Sequence, residues 1–151
     1  MKTAIITGAS GFVGGAVLRE LLSNGYKVYA IVRKRREKTL PVNANCVPVF
    51  CELAEMEKLT EKISAGEASI FYHFAWAGSA GVERADTRLQ LDNVQWSVDC
   101  LHAARALGCS RFVYAGSIME HETIAASYTP GNKPGPGYIY GSGKLAAHTM
   151  C

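Results

Sequence analysis

Tyr140 and Lys144 stand four residues apart in the stretch YIYGSGK near the carboxyl end of the chain. On a helix, that spacing places both side chains on one face, one above the other. A phenol beside an ammonium can take up a proton and return it. A free phenol titrates near pH 10, too high for a good base at neutral pH. One positive charge about 4 Å away, at an effective dielectric near 20, is worth roughly 4 kcal/mol. That is about three pKa units at most, enough for Lys144 to bring Tyr140 towards neutrality. The same spacing also occurs by chance in any helix. Gly141 and Gly143 weigh against chance, because each costs a helix interior up to about 1 kcal/mol relative to alanine. Close approach of a bound molecule would explain their presence.

A second candidate lies at the other end of the chain. TGASGFVGG, from Thr7 to Gly15, follows the apolar run TAIIT and spaces Gly8, Gly11 and Gly14 three apart. Glycines let a backbone turn sharply and approach a phosphate with no Cβ in the way. Unpaired N–H groups at a helix N-terminus and the helix dipole both favour an anion there. The candidate contacts are Thr7, Gly8, Ser10 and Gly11 in the loop, with Phe12, Val13 and Gly14 entering the helix. A turn that merely packs tightly is the other reading.

Both candidates need a frame. KTAIIT (2–7) is an apolar run of the kind found in strands buried on both faces. FVGGAVLRELLSNG has helical periodicity and a C-cap at Asn24-Gly25. KVYAIV (27–32) and NCVPVF (45–50) read as strands, the second at an edge because of Pro48. LAEMEKLTEKI (53–63) reads as a helix and ASIFYHFA (68–75) as a fourth strand. A long helix follows over about 86–107, with Leu91, Val94, Val98, Leu101 and Ala104 as its apolar stripe. RFVYAGS (111–117) is a fifth strand, 126–137 is a Pro/Gly-rich loop, and a last helix starts near Tyr138. Strands alternating with helices imply right-handed crossovers. The expected fold class is α/β, a doubly wound parallel sheet, with the glycine loop at its carboxyl edge, where ligands bind.

Bulk properties narrow the function. With 151 residues, 48% apolar and 19% charged, the chain suits one ordinary globular domain. A net charge of +3, supplied mostly by RKRREK at 33–38, gives no argument for nucleic acid. No apolar run approaches the roughly 20 residues that cross a bilayer, so no membrane partner is expected. The N-terminus lacks a signal-peptide layout. Cys46, Cys51, Cys100, Cys109 and Cys151 form an odd set without a CxxC pair, which reads as reduced thiols in a cytoplasmic protein. No His or Cys pair stands at zinc spacing, so no metal is expected.

The G-x-x-G-x-x-G spacing differs from the common G-x-G-x-x-G fingerprint. It resembles the TGxxGxxG loop of the extended short-chain dehydrogenases/reductases, the NAD(P)-dependent nucleotide-sugar epimerases and dehydratases. Further motifs follow in order: YHFAWAG like that family's H-x-A stretch, LDNVQWSVDCLHAA like its Asn-containing helix, RFVYAGSIME like its fifth strand and serine, and YIYGSGK as its Tyr-x-x-x-Lys. The resemblance spans essentially the whole chain and implies a Rossmann domain over 1–151 that binds a dinucleotide. It implies catalytic roles for Ser117, which holds the substrate oxygen, for Tyr140 as acid/base, and for Lys144, which also bonds the nicotinamide ribose. Asn93 is carried over as a helix-interrupting polar residue near that lysine. Phe74, Ala75 and Trp76, with Gly78, follow strand four, where the family contacts cofactor or substrate; Trp76 and Trp96 also suit plain packing. His73 reads as structural. The family's hydroxyl pair before the serine is Ala115-Gly116 here.

An acidic residue after strand two would bond the adenosine 2′-hydroxyl. This chain has Val32-Arg33 there, and a guanidinium suits a 2′-phosphate, with Lys34, Arg35 and Arg36 adding positive potential. NADP(H) is therefore favoured over NAD(H), although a solvated basic turn is the plainer alternative. Glu52-Leu53 falls near the adenine by resemblance, where an Asp is more usual. Members of the family are roughly twice as long, so the chain is expected to lack the C-terminal strands and the substrate domain. Two function classes follow. One is an oxidoreductase-type epimerase, dehydratase or ketoreductase acting on a nucleotide-sugar, with Arg33 tilting the reading towards reduction. The other is a non-catalytic dinucleotide-binding module or inactive remnant. The helices at 86–107 and 138–151 would pair across a two-fold axis in that family, which implies a homodimer.

Overall fold

The computed structural model describes residues 2–34, 39–64, 66 and 68–151. Arg35 and Arg36, expected to add to the basic turn, lie outside the described residues. The chain's contacts fall into two compact units: residues up to Ala75 with Asp99–Tyr114, and Trp76–Val98 with Ala115–Cys151.

The first unit holds five parallel strands, β1 (Thr3–Thr7), β2 (Lys27–Val32), β3 (Cys46–Phe50), β4 (Ile70–His73) and β5 (Arg111–Tyr114). Their order is β3-β2-β1-β4-β5. From β1 the chain steps outward to β2 and β3, then returns to add β4 on the other side of β1. The point where the order reverses therefore lies between β1 and β4, with Thr7 opposite Ile31 on one side and His73 on the other.

β1 is buried at every position, as its unbroken apolar run requires of a strand covered on both faces. Helix α1 (Phe12–Ser23) sets Leu18 and Leu21 against Ala4, Ile6, Val28 and Ala30 on one face. On the other face Ile5, Ile31 and Phe71 meet Met56 and Leu59 of a 3₁₀ segment, Leu53–Glu61, and Cys100 and Ala103 of helix α2 (Thr87–Ala106). Burying each of these large side chains contributes about 2 kcal/mol. The sheet is thus doubly wound. Pro48 sits on β3, which is an edge strand as its missing donor demands. At the end of α1, Gly25 adopts φ +74° and donates its N–H to the Leu22 carbonyl, closing the helix as expected.

The second unit contains helices α3 (Met119–Tyr128) and α4 (Ile139–Met150), packed together, and the first part of α2. Three expectations change. Residues 119–128 form a helix, where no element was expected before 126 and a loop after it, so the Pro/Gly loop starts only after Tyr128. The segment after β3 is a kinked 3₁₀ run, with Glu55 out of helical geometry at φ −126°. The α2 stripe also shifts: Leu91 is 61% exposed, while Gln90, Asn93 and Ser97 are buried. The apolar periodicity misled because this stretch of α2 faces a loop backbone that needs hydrogen bonds, not a hydrocarbon core.

Candidate functional site

In the first unit the glycine loop sits at the reversal point of the sheet, the place where open α/β sheets bind ligands. Gly8 has φ +71°, and a Cβ there would lie 2.8 Å from the Ala75 nitrogen. Gly14 faces the Gly8 carbonyl so closely that a Cβ would collide with it. These two glycines are imposed by the protein's own backbone. Gly11 differs: its nearest neighbour would be the Gly8 oxygen at 3.2 Å, and nothing else approaches. Gly11 is also the N-cap of α1, with no side chain capping the helix and no acid in its first turn. Ser10, Gly11, Phe12 and Val13 are all exposed, so the uncapped N–H groups open to solvent. The cradle fits a phosphate.

The strands beside the loop tie it down. Thr7 Oγ1 lies 2.8 Å from His73 Nδ1 and accepts the Ala75 N–H at 3.3 Å. The Phe74 N–H reaches the Thr7 carbonyl at 3.4 Å. His73 is 2% exposed and stacks near Phe112 and Tyr114, which makes it a structural residue, as the sequence suggested. Arg33 follows the last residue of β2 and is exposed, as is Lys34. Glu52, also exposed, and half-buried Leu53 follow β3 and Cys51, whose N–H bonds the Val32 carbonyl at 3.3 Å. Arg33, Glu52 and the glycine loop therefore share the carboxyl edge of one sheet.

In the second unit, Tyr140 and Lys144 are both buried on α4. The Lys144 ammonium donates to the Ala115 carbonyl at 2.8 Å and lies 3.9 Å from the centre of the Trp76 ring. Burial pulls its pKa down to about 8, against the carboxylate of Glu120, which raises it. Trp76 meets the Tyr140 ring edge-on at 6.1 Å, and the Arg84 guanidinium lies 4.2 Å from that ring's centre. The second cation on the tyrosine was not foreseen in the sequence.

Gln90 was also missed. Its oxygen accepts the Trp76 indole N–H at 2.8 Å, and its nitrogen donates to the carbonyls of Gly78 and Glu83. Asn93 grips the Ala77 peptide from both sides, accepting its N–H at 2.8 Å and donating to its carbonyl at 2.9 Å. Asn93 does not interrupt α2, which runs unbroken past it; its side chain works outward on the loop. The signal was available as polar residues at 90, 93 and 97, three and four apart, which share one helix face.

Ser117 Oγ accepts the Met119 N–H at 3.2 Å, and the Glu120 carboxylate accepts the Ser117 N–H at 2.7 Å. This reciprocal pair is a capping box, written in the sequence as Ser-x-x-Glu, and it explains the unexpected α3. Gly141 also receives another explanation. A Cβ there would strike the Thr123 hydroxyl and come within 2.7 Å of the Met119 carbonyl, so its absence lets α4 lie against α3. A Cβ on Gly143 would meet Gln90 and Trp76 at ordinary contact distance, so packing within the protein accounts for Gly141 alone. Among the described residues all five cysteines are free, no group of three metal-ligating side chains forms, and no helix is long and apolar enough to cross a membrane.

Known proteins resemble this chain in sequence and in fold. GDP-mannose 3,5-epimerase 1 of Oryza sativa subsp. japonica is 28% identical over 159 residues, matching 97% of this chain and 40% of its own length. A crystal structure of UDP-galactose 4-epimerase superposes with a TM-score of 0.76 at 20% identity, over 99% of this chain and 50% of that one. A short-chain dehydrogenase/reductase superfamily protein from Agrobacterium tumefaciens, solved with bound NAD, gives a TM-score of 0.70 at 26% identity, over 98% and 43%. The chain thus spans half or less of the length of these relatives. The NAD dependent epimerase/dehydratase family model matches residues 4–151, and the chain belongs to that family.

Proposed function

We propose that this chain is the dinucleotide-binding domain of an NAD(P)-dependent enzyme that oxidises or reduces a ring carbon of a nucleotide-sugar. The observation that carries this reading is the cradle at Gly8–Gly14, whose middle glycine is the least crowded and faces solvent while its neighbours are fixed by backbone. There the N–H groups of the first turn of α1 would hold the pyrophosphate. Arg33 would bind the adenosine 2′-phosphate, with Glu52 and Leu53 near the adenine, so NADP(H) is preferred over NAD(H). When bound, the dinucleotide supplies the hydride acceptor or donor. Tyr140 takes the hydroxyl proton as the carbon loses hydride and returns it in the reverse direction. Ser117 holds the substrate oxygen, and Lys144 bonds the nicotinamide ribose and supplies positive charge to the phenol. Phe74, Ala75, Trp76 and Asn93 line or support the cofactor.

Isothermal titration of the chain with NADPH and NADH tests the binding. Tighter NADPH binding is the expected result. Failure with both ligands overturns the reading, and a preference for NADH overturns the role of Arg33. A second reading, binding without turnover, is favoured by the commitment of Lys144 to the Ala115 carbonyl and of Ser117 to the cap of α3. Assay of the chain against UDP- and GDP-sugars separates the two. We also place the protein in the cytoplasm as a homodimer paired through α2 and α4, where Leu91 and Met150 are exposed; light scattering tests the pairing.

A further inference from the structure

Glu120 is 6% exposed, and a carboxylate so far from water needs partners for both oxygens. Oε1 accepts the Ser117 N–H at 2.7 Å, and Oε2 lies 2.5 Å from His148 Nδ1. His148 follows Lys144 by four residues, as Lys144 follows Tyr140, so the three project from one side of α4. A helix cap requires one oxygen and no charge, since glutamine serves there as well. Here the second oxygen is tied to another helix, and the charge acts on Lys144.

Resting on the reading of Ser117, Tyr140 and Lys144 given above, we infer that Glu120 is a positioning residue for that set. One oxygen fixes the Ser117 backbone, His148 anchors the other, and the carboxylate provides the counter-charge to the Lys144 ammonium. The Lys144 ammonium also donates to the Ala115 carbonyl and lies over the Trp76 ring, while Arg84 stacks on Tyr140 one turn earlier on α4. The Glu120 carboxylate acts on it with opposite charge. His148 is the exposed member of its pair, with 66% of its side chain in solvent against 7% for Glu120. The anchor is therefore reachable by substitution without opening the core.

Glu120→Gln separates capping from charge. A glutamine can accept the Ser117 N–H and donate to the His148 ring, but it carries no charge. In the full chain with isotope-labelled lysine, NMR titration should find Lys144 near 8 in the wild type and lower in E120Q. The remaining amide spectrum should be little changed. An unchanged Lys144 titration in E120Q overturns the inference. His148→Ala keeps the charge and frees its anchor, so the Ser117 amide resonance should move, and His148→Gln should restore it. If E120Q does not fold, a Ser117 amide and a Lys144 titration both unmoved in H148A overturn the inference equally. These readouts need no bound dinucleotide, so a failure of NADPH to bind would remove the functional reading while leaving this result standing.

Discussion

The glycine loop is positioned by side chains it lacks, whereas the Tyr140–Lys144 face is positioned by polar side chains taken out of water. At Gly8 and Gly14 the backbone of one strand end fits against its neighbours with no space for a methyl group. Little there carries charge, and the geometry is a matter of volume. In the second unit Gln90, Asn93, Glu120 and Lys144 are nearly fully buried, and each is held by hydrogen bonds to loop backbone or to another side chain. That arrangement tolerates small changes of volume but not the loss of a partner, since a buried polar group left unpaired costs about 1–3 kcal/mol. The first region should therefore be broken by adding atoms, the second by removing hydrogen bonds or changing pH.

The largest expected effect is in the loop. Gly14→Ala should lower stability by about 3 kcal/mol or more in urea unfolding, because its Cβ meets a main-chain carbonyl that cannot move alone. Gly11→Ala should cost less, about 1 kcal/mol from the poorer N-cap and the 3.2 Å approach to the Gly8 carbonyl, yet weaken dinucleotide binding about tenfold. Equal unfolding curves for the two variants would erase the distinction between the two glycines.

Next is pH. Lys144 has a folded pKa of about 8 against an ordinary value of 10.5. Between these values the unfolded chain binds more protons than the folded one, so stability rises with pH across that window. Between pH 7 and pH 10 this group should contribute a gain of about 2.5 kcal/mol. Lys144→Met should flatten that part of the pH–stability profile, while a profile unchanged from wild type would refute the buried ammonium. Asn93→Ala should then cost about 2 kcal/mol by orphaning both sides of the Ala77 peptide, read as a drop in Tm. The smallest effect is Arg84→Ala, which should cost about 0.5 kcal/mol through the lost contact with the Tyr140 ring, measured by thermal unfolding.

The two regions were also unequally legible in the sequence. The strands and α1 could be read because burial on both faces forces unbroken apolar runs, and β2 was found at its observed limits, 27–32. Gly8 and Gly14 could be placed because backbone collisions leave no other residue type. The second unit was harder, because its order comes from pairs distant in sequence: Asn93 with Ala77, Lys144 with Ala115, Glu120 with His148. Periodicity registers apolar faces, so Leu91 was assigned to the core and, on the polar face of α2, Asn93 alone was singled out. The start of α3 was legible in Ser117-x-x-Glu120 as a capping box; the motif's serine drew attention as chemistry instead.

Pro48 has a consequence for how copies of this chain can meet. A sheet with two open edges can add strands at either side without limit, which is how edge-to-edge polymers grow. On β3 the proline withholds a donor from one side. β3 lies at the end of the strand order, so the withheld donor falls on an outer edge of the sheet. Strand addition is disfavoured there by the chain itself, without a covering helix.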